Sequence, residues 1–189
     1  VFELPANGGG FVFGSGWGTA DLNSTFDDGA NTLTLSPNTI GDPDPFWYIG
    51  GGAPGNPGNK TMEANLYVEN DALNITGSTL TFEGTVLANT WTAAHATRVF
   101  VSEFVPDYSS RTDSFVDLPG TGPFSVSLTT SGTPGHHIQY GFQTTGENVW
   151  VTDTAPFGSL VVETIPEPGT LALLALGILG VGLRRKLRS

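Results

Sequence analysis

Apolar and polar residues alternate at every second position in several stretches of this chain. The clearest case places apolar side chains at positions 62, 64, 66 and 68, and similar patterns occur over residues 80–86, 124–128 and 138–142. Because successive side chains of a β-strand point to opposite faces, this alternation predicts half-buried strands. Short runs of apolar and β-branched residues predict further strands at 32–35, 99–104, 149–152 and 160–164.

Clusters of Gly, Pro and Asp separate the predicted strands, at residues 41–45, 50–58, 120–123 and 131–135. The 189 residues include 26 Gly and 13 Pro, and only 13% are charged, which is typical of short strands and many turns rather than of helices. About eight to ten short strands joined in this way predict an all-β domain, a two-sheet antiparallel β-sandwich of the jelly-roll type.

Residues 165–189 depart from this pattern. No residue from Gly169 to Leu183 is charged, and Leu and Gly dominate the run. Its apolar side chains would surround a helix on all sides, which is typical of a segment in lipid or in a protein core. As a helix the run would be about 22 Å long, somewhat short of the roughly 30 Å of a bilayer's hydrocarbon layer. We predict a single C-terminal hydrophobic helix in lipid, because a core helix would leave the four basic residues behind it unexplained.

A defined motif precedes the apolar run. Pro166, Glu167 and Pro168, followed by the Leu/Gly-rich segment and a terminal basic cluster, resemble the PEP-CTERM sorting signal of Gram-negative bacteria. The resemblance implies an exported domain at residues 1–165 and a sorting signal at residues 166–189, read by an exosortase-type processing enzyme. It also implies a transient inner-membrane anchor that includes Leu171, Leu174 and Leu179. A basic cluster that ends the membrane segment follows it and includes Arg184, Arg185, Lys186 and Arg188. A Pro-bracketed linker before an ordinary membrane anchor is the alternative.

Charge is distributed unevenly along the chain. The formal net charge is −11, yet four of the seven basic residues lie in the last six positions. The acidic remainder would repel phosphate backbones, so we expect no nucleic-acid partner. By the positive-inside rule the basic end faces the cytoplasm and the acidic domain lies outside. Val1 is not an initiator Met, so we expect that an export signal has been removed. The absence of cysteine leaves neither disulfides nor thiolate metal sites.

Several stretches of the first 165 residues resemble carbohydrate-binding modules with a galactose-binding-like jelly-roll fold, namely residues 55–70, 99–104, 123–128, 137–151 and 158–163. The resemblance implies sugar binding on exposed aromatic side chains and, often, a structural calcium ion. Sugar rings stack their apolar C–H faces on Trp or Tyr, while amides bind the hydroxyls. The candidate carbohydrate-binding residues are Trp47, Tyr48, Trp91, Gln139, Gln143, Asn148 and Trp150. Core packing is the alternative for the aromatic residues, since a sandwich of this size needs large buried side chains.

Metal binding and catalysis find less support. Calcium prefers several oxygen ligands, which Glu63 together with Asp153 or Glu163 would supply if the first and last strands were neighbours. His136 and His137 are adjacent, so on a strand they would point to opposite faces and could not ligate one metal jointly. The sequence contains no nucleophile elbow, zinc-protease, P-loop or dinucleotide-binding motif, and we predict no catalytic residues.

Two functions remain open at this stage. The first is a non-catalytic protein of the cell surface or biofilm matrix that binds exopolysaccharide outside a Gram-negative cell. The second is a structural subunit that self-associates through sheet edges or apolar tails into an extracellular filament or sheath. A polysaccharide hydrolase is a weaker third, because it would need two carboxylates in an open cleft. Exposed tryptophan rings would favour the first function, and a symmetric assembly with a buried tail would favour the second.

Overall fold

The computed structural model describes residues 1–69 and 77–164. These residues form ten strands: β1 (Phe2–Glu3), β2 (Ser24–Asp27), β3 (Thr32–Leu35), β4 (Lys60–Glu69), β5 (Thr79–Asn89), β6 (His95–Phe104), β7 (Arg111–Asp117), β8 (Gly122–Thr129), β9 (His137–Glu147) and β10 (Leu160–Thr164). Two 3₁₀ helices span Pro5–Asn7 and Ala155–Phe157. The predicted C-terminal helix lies outside the described residues, as do Pro166, Glu167, Pro168, Leu171, Leu174, Leu179, Arg184, Arg185, Lys186 and Arg188.

The strands of the described residues form two five-stranded sheets. Sheet A has the order β1-β4-β9-β6-β7, and sheet B has the order β2-β3-β10-β5-β8. All strand pairs within them are antiparallel. The chain passes from one sheet to the other at every connection except β2–β3 and β6–β7. The prediction of an all-β protein with two antiparallel sheets is therefore confirmed.

The main hydrophobic core lies between the two sheets. Alternate side chains of sheet A, among them Val99, Val101 and Phe142, meet Val126 and Leu160 of sheet B. These five side chains are at most 4% exposed. Burying a side chain of this kind stabilises the fold by about 1.5–3 kcal/mol, so this interface dominates the stability of the sandwich. It also fixes which face of each strand points outward.

A second hydrophobic cluster forms beside the main core, where the long connection between β3 and β4 folds over the end of β9. Its buried members are Val1, Ile40, Trp47, Tyr48 and Met62, with Phe13, Trp17 and Trp150 packed against them. The Tyr48 hydroxyl donates to the Ile40 carbonyl oxygen at 2.6 Å and accepts from the Ile40 amide at 3.1 Å. Aromatic packing and this paired hydrogen bond hold the connection in place.

The strand predicted at residues 149–152 is wrong. Val149 forms only an isolated bridge, to Thr39, and the chain then turns, with the Asp153 amide donating to the Trp150 carbonyl oxygen at 2.8 Å. These residues are apolar because Val149 and Trp150 pack near the second cluster from a loop. The strands predicted at 32–35 and 160–164 coincide with β3 and β10.

Candidate binding face

The outward surface of sheet A carries polar and aromatic side chains in ordered rows. On β4 the buried Met62 and Ala64 point to the core. Glu63 and Asn65 alternate with them along the strand, so they point away from the core. We call this surface the outer face of sheet A. The strand register aligns its side chains across four strands. One row is Asn65, Gln143, Arg98 and Asp117, and the next is Tyr67, Gly141, Phe100 and Phe115.

A hydrogen-bonded relay runs along the first row. Arg98 Nε donates to Gln143 Oε1 at 2.6 Å, and Gln143 Nε2 donates to Asn65 Oδ1 at 2.7 Å. A guanidinium can only donate, so it makes Gln143 accept through its oxygen, and Asn65 must then accept from the Gln143 amide nitrogen. Gln143 is only 2% exposed, so the relay is built into the sheet rather than lying loosely on it.

Arg98 is held by a second contact. Its guanidinium carbon lies 3.8 Å from the centroid of the Phe115 ring, a cation–π contact. Asp117 stands opposite Arg98 in the register of β6 and β7, yet the ion pairs of the described residues include none between them. The guanidinium is therefore oriented by an amide and a ring, while its charge is left without a carboxylate partner.

A cleft of about 630 Å³ opens at one end of the outer face. Residues 91–93 of the β5–β6 connection and residues 118–119 after β7 form its walls. The strand residues that line it include Glu63, Ala96, Arg98, Asp117, Gln143 and Thr145. Its volume falls within the roughly 300–1,000 Å³ of small-molecule sites. The cleft thus combines a rigid polar floor with an aromatic wall.

Trp91 supplies that aromatic wall. Its Nε1 donates to Thr97 Oγ1 at 3.0 Å, and Thr97 Oγ1 lies 3.2 Å from Thr144 Oγ1 in the buried layer below. The indole also stacks on His95, with ring centroids 5.3 Å apart and planes 20° apart. Two neighbours, Thr97 and His95, thereby orient the ring. A preorganised aromatic ring loses little conformational entropy when a ligand stacks on it.

His95 supports Trp91 from the interior and is only 5% exposed. Burial lowers the pKa of His95, which favours the neutral ring. Nε2 lies 3.0 Å from the Glu147 carbonyl oxygen, so the proton resides on Nε2. Among the described residues Nδ1 has no hydrogen-bond partner. Gly146 lies opposite His95 in the sheet, and any side chain there would collide with the imidazole ring.

The predicted carbohydrate-binding residues divide between two places. Trp91 and Gln143 lie together in the cleft. Gln139 lies on the same outer face but beyond the cleft, where its amide donates to Glu69. The other four residues are Trp47, Tyr48, Asn148 and Trp150.

Those four residues belong to the second cluster or support it. Trp47 is 8% exposed and Tyr48 is fully buried, so neither ring presents a face to a ligand. Asn148 is also fully buried, and its amide donates to the Trp47 carbonyl oxygen at 2.9 Å. Trp150 packs edge-on against Tyr48 with centroids 5.2 Å apart. The burial of Trp47 and Tyr48 fits core packing, which was the alternative to sugar binding for the aromatic residues.

The predicted calcium ligands are not brought together. Glu63 lies on the outer face of sheet A, whereas Glu163 is exposed on β10 in sheet B, so the condition that the first and last strands be neighbours is not met. Asp153 Oδ2 instead accepts from the Gly55 amide at 2.6 Å. Across residues 1–69 and 77–164, no group of three or more His, Cys, Asp or Glu side chains could hold a metal.

Sequence reasoning missed most of the polar residues on the outer face of sheet A. Asn65, Arg98 and Asp117 entered no predicted site, and Glu63 was assigned to a metal instead. One signal was available, because Arg98 is among only three basic residues before the terminal cluster. A basic residue on a predicted strand of an acidic domain could have indicated a binding role.

The fold and the outer face define an all-β, two-sheet domain with a polar, aromatic-walled cleft. The family model of the PEP-CTERM protein-sorting motif matches residues 164–186, so the chain carries that sorting motif behind the domain. The motif implies an exported protein that passes through the membrane and is sorted by an exosortase. No curated protein and no solved structure matches the chain. Within the described ranges no helix is long and apolar enough to cross a membrane.

Proposed function

We propose that this chain is an exported, non-catalytic protein of the cell surface or extracellular matrix that binds exopolysaccharide at the cleft on the outer face of sheet A. The observation that carries the proposal is the combination in one cleft of an oriented indole, Trp91, with Arg98 and Gln143, the two residues of the relay that line the cleft. A sugar ring stacks on an indole, and its hydroxyls need fixed polar partners beside that ring.

The strand order supports a jelly-roll interpretation of the domain. Without β1 and β2, sheet A reads β4-β9-β6-β7 and sheet B reads β3-β10-β5-β8. This is the order of eight strands in two Greek keys wound across a sandwich. A jelly roll offers one broad sheet face to a chain-like ligand, in keeping with a polysaccharide. The sorting motif supports an exported location, which we propose to be the outer surface of a Gram-negative cell.

The positions of the acids favour binding over hydrolysis. Glu63 and Asp117 are the two carboxylates that line the cleft, on β4 and β7. Three strand spacings separate these strands in sheet A, which places their backbones about 14 Å apart. Glycosidases hold their paired carboxyl groups about 5–9.5 Å apart, so Glu63 and Asp117 would both have to extend toward each other across β9 and β6 to reach that spacing. We therefore propose that the cleft holds a saccharide without cleaving it.

The test is co-sedimentation and calorimetric titration of the full chain with the producing strain's purified exopolysaccharide. Because residues 169–183 are apolar, the buffer needs a detergent without a sugar headgroup, which cannot compete for the cleft. We expect saturable binding that Trp91→Ala weakens at least about tenfold. Phe26→Ala is the matched control, since Phe26 is a 55% exposed aromatic residue on sheet B and should leave the affinity unchanged.

Two results would overturn the proposal. One is the absence of binding by the folded wild-type chain, and the other is equal affinity of Trp91→Ala and the wild type. The first result, found together with concentration-dependent sedimentation of the protein alone, would favour the self-assembling subunit of a filament or sheath.

A further inference from the structure

We propose that the cleft selects uncharged saccharides, because it offers paired hydrogen-bond donors and acceptors under a net negative charge. The inference names the ligand class for the proposed polysaccharide-binding function and rests on it.

The donors come from the Arg98 end of the relay, because Arg98 lines the cleft whereas Asn65, at the other end, lies outside its lining. Arg98 Nε donates a hydrogen bond to Gln143. The terminal nitrogens of Arg98 have no hydrogen-bond acceptor in the part of the chain that the structure describes. The Phe115 ring and the Gln143 amide hold this guanidinium in one orientation. The cleft therefore presents oriented donors before any ligand arrives.

The acceptors are the carboxylates of Glu63 and Asp117. Neither accepts a hydrogen bond from another described residue, so both keep their full capacity. Asp117 stands across from Arg98 in the register of neighbouring strands, where opposite Cβ atoms are about 4.5–5.5 Å apart. A sugar hydroxyl both donates and accepts. Two adjacent hydroxyls can thus bridge Arg98 and Asp117, donating to the carboxylate and accepting from the guanidinium.

The charge balance decides between neutral and acidic sugars. Arg98 is the one Lys or Arg that lines the cleft, against two carboxylates, and His95 is buried with a pKa below its ordinary value. The Val1 ammonium interacts electrostatically with Glu63 but is not part of the lining. The surrounding protein adds to this imbalance, because the formal net charge is −11. A uronate would gain one contact with Arg98 but would be repelled by the acids beside it. An uncharged sugar can hydrogen-bond to both the guanidinium and the carboxylates without this repulsion.

The experiment titrates the full chain, in the same sugar-free detergent, with neutral gluco-, manno- and galacto-oligosaccharides and with oligogalacturonate of equal length. We expect at least one neutral series to bind, and to bind more tightly than oligogalacturonate. Its affinity should change less than about twofold between 20 and 200 mM salt, because no ligand charge is screened. Asp117→Asn and Arg98→Met should each weaken it by about tenfold.

Glu163→Gln is the matched control, since it removes one negative charge from the exposed side of sheet B and should leave binding unchanged. Circular dichroism confirms that each variant is folded before titration. If oligogalacturonate binds more tightly than the neutral sugars and Arg98→Met abolishes that binding, the inference fails while the proposed function stands. If no oligosaccharide and no exopolysaccharide binds, both fail. Tight neutral binding that Asp117→Asn and Arg98→Met both leave unchanged also overturns the inference.

Discussion

At the residue scale, one buried carboxylate ties the β8–β9 connection to β6. Glu103 is 5% exposed and accepts hydrogen bonds from the Ser131 hydroxyl at 2.7 Å and the Ser131 amide at 2.9 Å. His136 Nδ1 lies 2.9 Å from the same carboxylate. Burial by itself raises the pKa of Glu103, but these contacts outweigh it and hold the pKa below its ordinary value. The ionised form is therefore the one that the fold stabilises.

This arrangement predicts a pH-dependent contribution to stability. Because the pKa is lowered by folding, the contribution is present above the unfolded pKa of about 4.3 and is lost as the pH falls through the folded value. We expect Glu103→Gln to lower the free energy of unfolding by about 1–3 kcal/mol at pH 7 and by much less at pH 3. Urea unfolding at the two pH values measures this, with Glu163→Gln as the surface control. An equal loss at both values would contradict the prediction.

At the element scale, the sequence predicted the strands with a regular alternation and missed three strands, β1, β2 and β7. The alternating runs became β4, β5, β8 and β9, because one face of each packs on the core. β7 mixes Arg111, Asp113 and Asp117 with Phe115 and shows no continuous apolar face. Residues 149–152 gave the opposite error, a predicted strand where the structure has a loop. Hydrophobicity indicates burial, and a loop can be buried as well as a strand.

The binding face was only partly predictable for a related reason. Trp91 and Gln143 were candidates by residue type alone. The role of Arg98 depends on its register against Gln143, and the role of Asn65 depends on the register of β4 against β9. Local sequence does not determine the register between strands that are far apart in the chain. Those partners become visible only once the sheet order is known.

The pairing of β4 with β9 leads to a second prediction. Gly141 is buried in the middle of β9, and a Cβ atom there would collide with the Leu66 carbonyl group on β4. We expect Gly141→Ala to lower the free energy of unfolding by about 1–3 kcal/mol, since the backbones must move apart. Gly120→Ala is the matched control, because nothing lies within 4 Å of its added Cβ atom. Chemical denaturation measures both, and equal stability of the two variants would contradict the prediction.

At the scale of the whole molecule, the aromatic residues serve two separate purposes. One group, around Trp47 and Tyr48, closes the long β3–β4 connection over the sandwich and is buried. The other, Trp91 with His95 behind it, lines a cleft on the outer face of sheet A. The cleft lining includes no residue of the second cluster. Because Trp91 also packs against the main core, both Trp47 and Trp91 should affect stability, but only Trp91 should affect ligand binding.

The last prediction tests this separation. Trp47→Phe removes part of a ring that packs edge-on against Trp17 and Phe46, so we expect the free energy of unfolding to fall by about 1–3 kcal/mol. At a temperature where the variant is fully folded, its affinity for exopolysaccharide should equal that of the wild type, whereas Trp91→Ala should bind at least about tenfold more weakly. Thermal unfolding and titration of both variants measure the two effects. If Trp47→Phe weakened binding as much as Trp91→Ala while remaining folded, the second cluster would be part of the ligand site, and the cleft alone could not account for recognition.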